Sequence, residues 1–452
     1  MKKKRFALST VQVIMLSFLV TILVGSILLA LPISSADGKA IPYIDALFTA
    51  TTATCVTGLV TLPTVTTWSV FGQAVILVLI QIGGLGVITI ASGIMIALNK
   101  KMGLGDRILI QDAFNLNTLS GLIKFVKKVI VGTFIVEGIG ALLYMVVFVP
   151  QFGFKGVWIA IFTSISAFCN AGIDIISENS LCDYATNPVI NAVTCVLIIL
   201  GGIGYIVWWD FARVIKNSKK FSIKSLRNLT LHSKIALWTT GILIFAGTIA
   251  VFLFEYNNPA TMKDYSLFEK IQASFFQSVT TRTAGFATIP QQDLMNSTSI
   301  VSLLLMFIGG SPVGTAGGIK TVTFAVIIAS AACTIRNKRE VSLFNRTIPS
   351  YAVSKAAAVI CMSFIIMFTS TVLLSAVTDA SALDIIYETV SATATVGLTR
   401  NLTPMLNNWG KLIIITTMYL GRVVPISLAI AFKIKKERPN IIKNPTEDIS
   451  VG

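Results

Sequence analysis

Ala53-Thr-Cys-Val-Thr-Gly-Leu59 has three counterparts later in the same chain: Phe168-Cys-Asn-Ala-Gly-Ile173, Thr281-Arg-Thr-Ala-Gly-Phe286 and Thr393-Ala-Thr-Val-Gly-Leu398. Their glycines, Gly58, Gly172, Gly285 and Gly397, are separated by 114, 113 and 112 residues. Near-equal intervals around a shared glycine-plus-apolar ending mark an internal repeat.

The surroundings of the four glycines repeat as well. Ahead of each lies a long apolar helix, at about 10–31, 129–150, 235–254 and 354–378. A polar stretch follows, then a short semi-apolar segment: Asp45–Thr54, Gly156–Cys169, Leu267–Thr281 and Leu383–Thr395. These segments fall short of the ~20 residues a spanning helix needs, so each is expected to dip into the membrane and return. Beyond each glycine comes a second long apolar helix, at about 70–98, 188–214, 298–335 and 410–432. The expected units are residues 1–112, 113–225, 226–345 (with an interrupted second helix) and 346–436, followed by a cytoplasmic tail, 437–452.

Composition agrees with a polytopic membrane chain. Charged residues make up 12%, about half the share expected of a soluble domain. No charge occurs in 6–36, 46–99, 184–209 or 356–378. The apolar run from about Thr10 to Leu31 exceeds the ~7–15 residues of a signal-peptide core, so it reads as a retained first helix. The net charge of +16 does not call for nucleic acid. Of 36 Lys and Arg, 27 fall in Lys2–Arg5, Lys100–Lys128, Arg213–Lys234, Arg336–Lys355 and Lys433–Lys443, which alternate with the helix pairs as cytoplasmic loops do. Both termini and both ends of every unit are therefore expected on the cytoplasmic side, making the repeats parallel about an axis along the membrane normal. The opposite face carries an acidic excess, read either as a field that concentrates cations or as a merely solvated rim. Six cysteines without CxxC spacing and one histidine, His232, leave little basis for a metal centre or catalytic triad, and an enzyme is not expected.

Non-helical backbone at membrane depth is tolerated only where it is buried in protein or lines water. Four such stretches around one axis offer carbonyl oxygens that replace an ion's hydration shell. The expected filter comprises Val56, Thr57, Gly58, Asn170, Ala171, Gly172, Thr283, Ala284, Gly285, Thr395, Val396 and Gly397, with a cation at their carbonyls as the only metal. Gly83, Gly84, Gly86, Gly201, Gly202 and Gly204 read as packing residues inside continuous second helices.

The apolar region Leu294–Ile335 is ~42 residues long, or ~60 Å as one helix, against a ~30 Å hydrocarbon core. Glycines and a proline near its middle break it, and Gly309, Gly310, Ser311, Pro312, Val313, Gly314, Thr315, Ala316, Gly317 and Gly318 are expected to form a gate loop. The other three second helices are expected to lack such a break. Arg422, an ionisable residue in an apolar run, is expected to be a pore-facing cation barrier. Its bland alternative is a structural partner of a carboxylate or of carbonyls. Glu137, alone in a first helix, stays open between a buried pair and a functional role.

The four glycine segments, Gln81-Ile-Gly-Gly-Leu-Gly86, Leu200-Gly-Gly-Ile-Gly204, the stretch Gly309–Lys320 and Tyr419-Leu-Gly-Arg-Val-Val-Pro425 resemble the Trk/Ktr/HKT superfamily of potassium transporters over nearly the whole chain. The likeness is strongest to the KtrB-type subunit, because the first repeat begins almost at once. The resemblance implies an all-α membrane fold of four parallel helix–pore loop–helix repeats, a homodimer with one pore per subunit, and K⁺ as transported ion. It further implies Na⁺ as activator or coupling ion, and a cytosolic nucleotide-binding ring of KtrA type through which alone ATP or ADP acts. Glycine at all four filter positions implies K⁺ over Na⁺.

Overall fold

The computed structural model describes residues 9–98, 103–113, 121–217, 223–338 and 340–434; the expected tail, 437–452, lies outside the described residues. The first repeat comprises α1 (Thr10–Ala30), α2 (Tyr43–Cys55), a single turn α3 (Thr64–Thr67), α4 (Val70–Leu85) and α5 (Val87–Ala97). A short helix α6 (Leu104–Ala113) precedes the second repeat: α7 (Leu122–Phe152), α8 (Lys155–Cys169), α9 (Pro188–Gly202) and α10 (Tyr205–Asn217). The third has α11 (Leu231–Glu255), α12 (Leu267–Thr280), α13 (Asn296–Phe307) and α14 (Thr321–Ile335). The fourth has α15 (Ser350–Ser375), α16 (Ala382–Ala394) and α17 (Asn408–Ile434), after a two-residue-per-strand hairpin, β1 (Ser342–Leu343) with β2 (Arg346–Thr347).

The helices α1, α7, α11 and α15 are each long and apolar enough to cross a bilayer. They turn large apolar side chains outward, such as Val20 and Ile27, Leu142 and Val146, Trp238 and Phe245, Phe364 and Phe368. Their inner faces carry small or polar groups: Gly25 and Ser26, Thr133 and Gly140, Ser233 and Gly247, Ser363 and Ser370. In lipid the tails solvate the apolar face, and small residues allow helices to approach closely. A Cβ on Gly247, for example, would sit 2.4 Å from Ser278 Oγ of α12.

The short helices α2, α8, α12 and α16 are the most enclosed elements, each nearly all buried in its last two turns. At 1.5 Å per residue they reach only ~20 Å, too short to span. Each packs inside its own repeat, on α1, α7, α11 and α15 respectively. The repeats then close on one another: α4 against α8, α9 against α12, α13 against α16, and α17 against α2. The molecule is thus an all-α membrane protein of four helix–pore loop–helix repeats around a central axis, resembling a potassium channel in architecture.

The second helices depart from expectation. Two that were read as continuous are sharply bent, by 96° between α4 and α5 and by 95° between α9 and α10. The bends fall at Gly86 (φ +85°) and Gly204 (φ +90°), in a region side chains disfavour. Gly86 is a turn residue rather than a packing residue, and Gly204 is both. A Cβ on Gly204 would also stand 2.4 Å from the Pro312 carbonyl oxygen. Gly83, Gly84 and Gly201 do serve packing, for a Cβ there would strike Thr54 O at 2.0 Å, Cys169 Sγ at 2.5 Å and Phe168 O at 1.9 Å. In the third repeat the chain leaves helical geometry over 308–320, while α17 runs unbroken through Pro425.

Candidate cation pathway

Each pore helix stops at a residue whose backbone flips. Val56 (φ 57°), Asn170 (φ 59°) and Thr395 (φ 51°) are left-handed caps of α2, α8 and α16, and Thr283 (φ 67°) plays this part just beyond α12. The flip turns the chain back towards the face from which the helix descended. Gly58, Gly172, Gly285 and Gly397 follow two residues on, all at positive φ.

These four glycines touch around the axis. A Cβ on Gly58 would lie 2.6 Å from Ala171 O, one on Gly172 2.5 Å from Ala284 O, one on Gly285 2.5 Å from Val396 O, and one on Gly397 2.2 Å from Thr57 O. The cycle visits each repeat once and closes. The carbonyls of Thr57, Ala171, Ala284 and Val396 are thereby gathered beside the neighbouring glycine, with no room for any side chain. Carbonyl oxygens carry partial negative charge, so the ring suits a desolvated cation.

Sequence reading missed the hydroxyls that hold this ring. Thr52 Oγ1 accepts the Gly58 N–H at 3.0 Å, and Ser391 Oγ accepts the Gly397 N–H at 3.0 Å. In the other two repeats the hydroxyl donates instead, from Ser166 to Ile173 O (2.5 Å) and from Thr280 to Phe286 O (2.6 Å). The signal was available: a Ser or Thr stands six residues before three of the glycines and five before Gly285.

On the side away from the basic loops the ring opens into a cavity of about 330 Å³, whose lining includes all four glycines and Asp174 and Glu178. Asp174 is 9% exposed, and its carboxyl is pushed up to about 6 by burial, opposed by hydrogen bonds from Ser180 and nearby backbone N–H groups.

On the other side the loop 308–320 lies directly against the ring. Its ends are tied together, Gly309 N–H to Ile319 O at 3.0 Å and Thr321 N–H to Gly310 O at 3.0 Å. Gly201 and Gly202 carbonyls accept from the Thr315 and Ser311 N–H groups at 3.1 and 2.8 Å. Arg422 Nη1 donates to Thr315 O and Nη2 to Gly83 O, both at 2.8 Å. Arg422 is 7% exposed and makes the carbonyl bonds of its bland alternative, yet one of them is to the loop itself. Arg422 and Lys320 also line a cavity of about 130 Å³ beside the loop. Glu137 has a partner: its carboxyl accepts from the half-buried Gln81 Nε2 at 3.1 and 3.2 Å and from Cys169 Sγ at 3.8 Å.

Four re-entrant segments meet at one axis with their carbonyls gathered and a cavity opening on the ring, the architecture of a cation transporter. Residues 3–444 match the TrkH family, described as cation transport protein, and the chain belongs to that family. It is 41% identical to Ktr system potassium uptake protein B of Bacillus subtilis (strain 168), over 98% of this chain and 96% of that protein. It is 38% identical to potassium/sodium uptake protein NtpJ of Enterococcus hirae, over 100% of this chain and 99% of that protein. The crystal structure of the potassium transporter TrkH from Vibrio parahaemolyticus shares the fold, with a TM-score of 0.74 at 17% identity, covering 95% of this chain and 86% of that one.

Proposed function

We propose that this chain is the potassium-translocating pore subunit of a K⁺ uptake system. The observation that carries the reading is the closed ring of glycines and carbonyls at Gly58, Gly172, Gly285 and Gly397. Residues 56–58, 170–172, 283–285 and 395–397 form its selectivity filter. Loop 309–318 is the gate, and Arg422 is both the positive charge below the filter and the clamp that holds the loop shut. The repeats run over 1–112, 113–225, 226–345 and 346–436. The subunit works as a homodimer in the plasma membrane with both termini cytoplasmic. Na⁺ activates or couples to uptake, and a cytosolic nucleotide-binding ring on the basic-loop side brings ATP or ADP control. Names of similar proteins, a Ktr system subunit and a potassium/sodium uptake protein, support the ion and the existence of a partner.

The test is K⁺ and Rb⁺ uptake in a cell deficient in potassium uptake, with and without Na⁺. Uptake that requires this chain and rises with Na⁺ is expected. No uptake of either ion from a correctly inserted protein overturns the reading.

A further inference from the structure

Loop 308–320 does more than lie across the path: it is hydrogen-bonded to the filter segments themselves, and unequally. Thr315 Oγ1 donates to Phe168 O (3.0 Å) and Asn170 Oδ1 (3.1 Å) of the second repeat. The Gly317 N–H donates to Thr283 Oγ1 (3.1 Å) of the third, and Arg282 Nη2 donates to Gly309 O (2.9 Å). In the first and fourth repeats the left-handed residues are Val56, which has no polar side-chain atom, and Thr395, whose hydroxyl has no partner among the described residues although it packs against Gly317.

The pore-helix hydroxyls divide the same way. Thr52 and Ser391 clamp the glycine N–H in repeats one and four, whereas Ser166 and Thr280 bind carbonyls beyond the glycine in repeats two and three. Two filter segments are fixed at the glycine from behind by their own helices. The other two are fixed at their left-handed residue by the loop. Asn170 and Thr283 each immediately precede a residue whose carbonyl belongs to the ring, Ala171 and Ala284. A β-branched residue such as Thr283 at φ 67° is disfavoured and persists only where its surroundings hold it. Val56 (φ 57°) and Thr395 (φ 51°) keep the same geometry by packing without such a bond; at Thr283 the Gly317 N–H is an additional restraint on the residue that precedes the Ala284 carbonyl.

We infer that Thr315 and Thr283 are specificity-positioning residues: by tying loop 308–320 to the second and third filter segments, they hold the Ala171 and Ala284 carbonyls at the spacing that discriminates among monovalent cations. This rests on the filter reading above. Movement of the loop then changes flux and discrimination together.

The experiment measures ⁸⁶Rb⁺ and ²²Na⁺ uptake in vesicles containing full-length protein, scaled to the amount inserted. Thr315→Val and Thr283→Val keep shape and remove the polar atom. Each is expected to raise Rb⁺ flux and to lower the Rb⁺/Na⁺ ratio about fivefold, the order of one buried hydrogen bond. Thr283→Ser keeps the hydroxyl and the wild-type ratio. Thr248→Val, which loses only a bond to Ile244 O within α11, changes neither quantity. Valine variants that alter flux at an unchanged ratio make the loop a plug alone and overturn the inference, as do variants that change nothing. Should a valine variant fail to insert, wild-type protein decides. Its Rb⁺/Na⁺ ratio is expected to fall between the resting and the partner-activated state, and a constant ratio overturns the inference. Wild-type protein that carries no Rb⁺ at all overturns the proposed function instead.

Discussion

At the scale of single residues, the ring is a steric argument. Gly58 sits at φ +99°, and its missing Cβ would overlap Ala171 O at 2.6 Å. Serine there must displace a carbonyl of the neighbouring repeat. Gly58→Ser is expected to lower K⁺/Na⁺ discrimination roughly tenfold, equivalent to about 1.4 kcal/mol. Competition of Na⁺ against Rb⁺ uptake reads this directly, and unchanged competition removes Gly58 from the filter. Asp174 gives a second test at the mouth. Burial raises its carboxyl to about 6, so it is largely ionised at pH 7 and becomes neutral as pH falls through 6. A negative charge in a concave mouth concentrates cations. Apparent K⁺ affinity should therefore weaken as the pH on that side drops from 7 to 5. Asp174→Asn should show the weak, low-pH affinity at every pH. A pH profile unaltered by that substitution excludes Asp174 as the titrating group.

Among the elements, the second helices show how one repeat unit was altered four ways. Two bend at a single glycine, one opens into a loop of 13 residues, 308–320, and one stays continuous. Two of these departures meet, and the continuous helix reaches the same place. The Gly204 turn docks Pro312 and Val313, with the Tyr205 N–H donating to Val313 O at 3.0 Å, and Arg422 on the continuous helix holds Thr315. Deleting Gly310–Gly317 should raise K⁺ flux and make it independent of the partner. Arg422→Ala should go the same way to a smaller extent, because two buried carbonyls lose charge-assisted bonds worth about 1.5–3 kcal/mol each. Uptake assays at matched expression check both. Flux that stays low and partner-dependent in the deletion variant sinks the gate. These bonds are those of the structural alternative for Arg422, with two carbonyl partners, one of them in the loop.

Over the whole molecule, each junction between repeats is sealed by a polar bond near the pore helices. Trp158 Nε1 donates to Gln73 Oε1 (2.8 Å), Leu181 N–H to Ala287 O (2.9 Å), Arg400 Nη1 to Ser299 Oγ (2.8 Å), and Lys411 Nζ to Asp45 Oδ1 (2.6 Å). The last closes the circle between the two ends of the chain. Lys411→Met leaves Asp45 buried without its cation, a change that costs about 3–5 kcal/mol when an ion pair is broken from one side. The variant's thermal unfolding temperature in detergent should fall, and the double variant Lys411→Met with Asp45→Leu should recover part of the loss. A single variant as stable as wild type would show that packing alone closes the ring.

Much of this was legible before any coordinates. Repeat spacing, charge-free runs and alternating basic loops are linear properties, and lipid forces them into spans and re-entrant segments because no other backbone arrangement is satisfied there. The four glycines were visible because a requirement imposed four times leaves a periodic trace. The turns at Gly86 and Gly204 were hidden because a glycine that packs and one that turns the chain look alike in sequence; φ reveals the turn, and neighbouring helices set φ. The partners of Arg422 and Thr315 were likewise hidden. Thr315 meets Asn170 from 145 positions away and Arg422 from 107, and such pairings exist only once the repeats have closed around their axis.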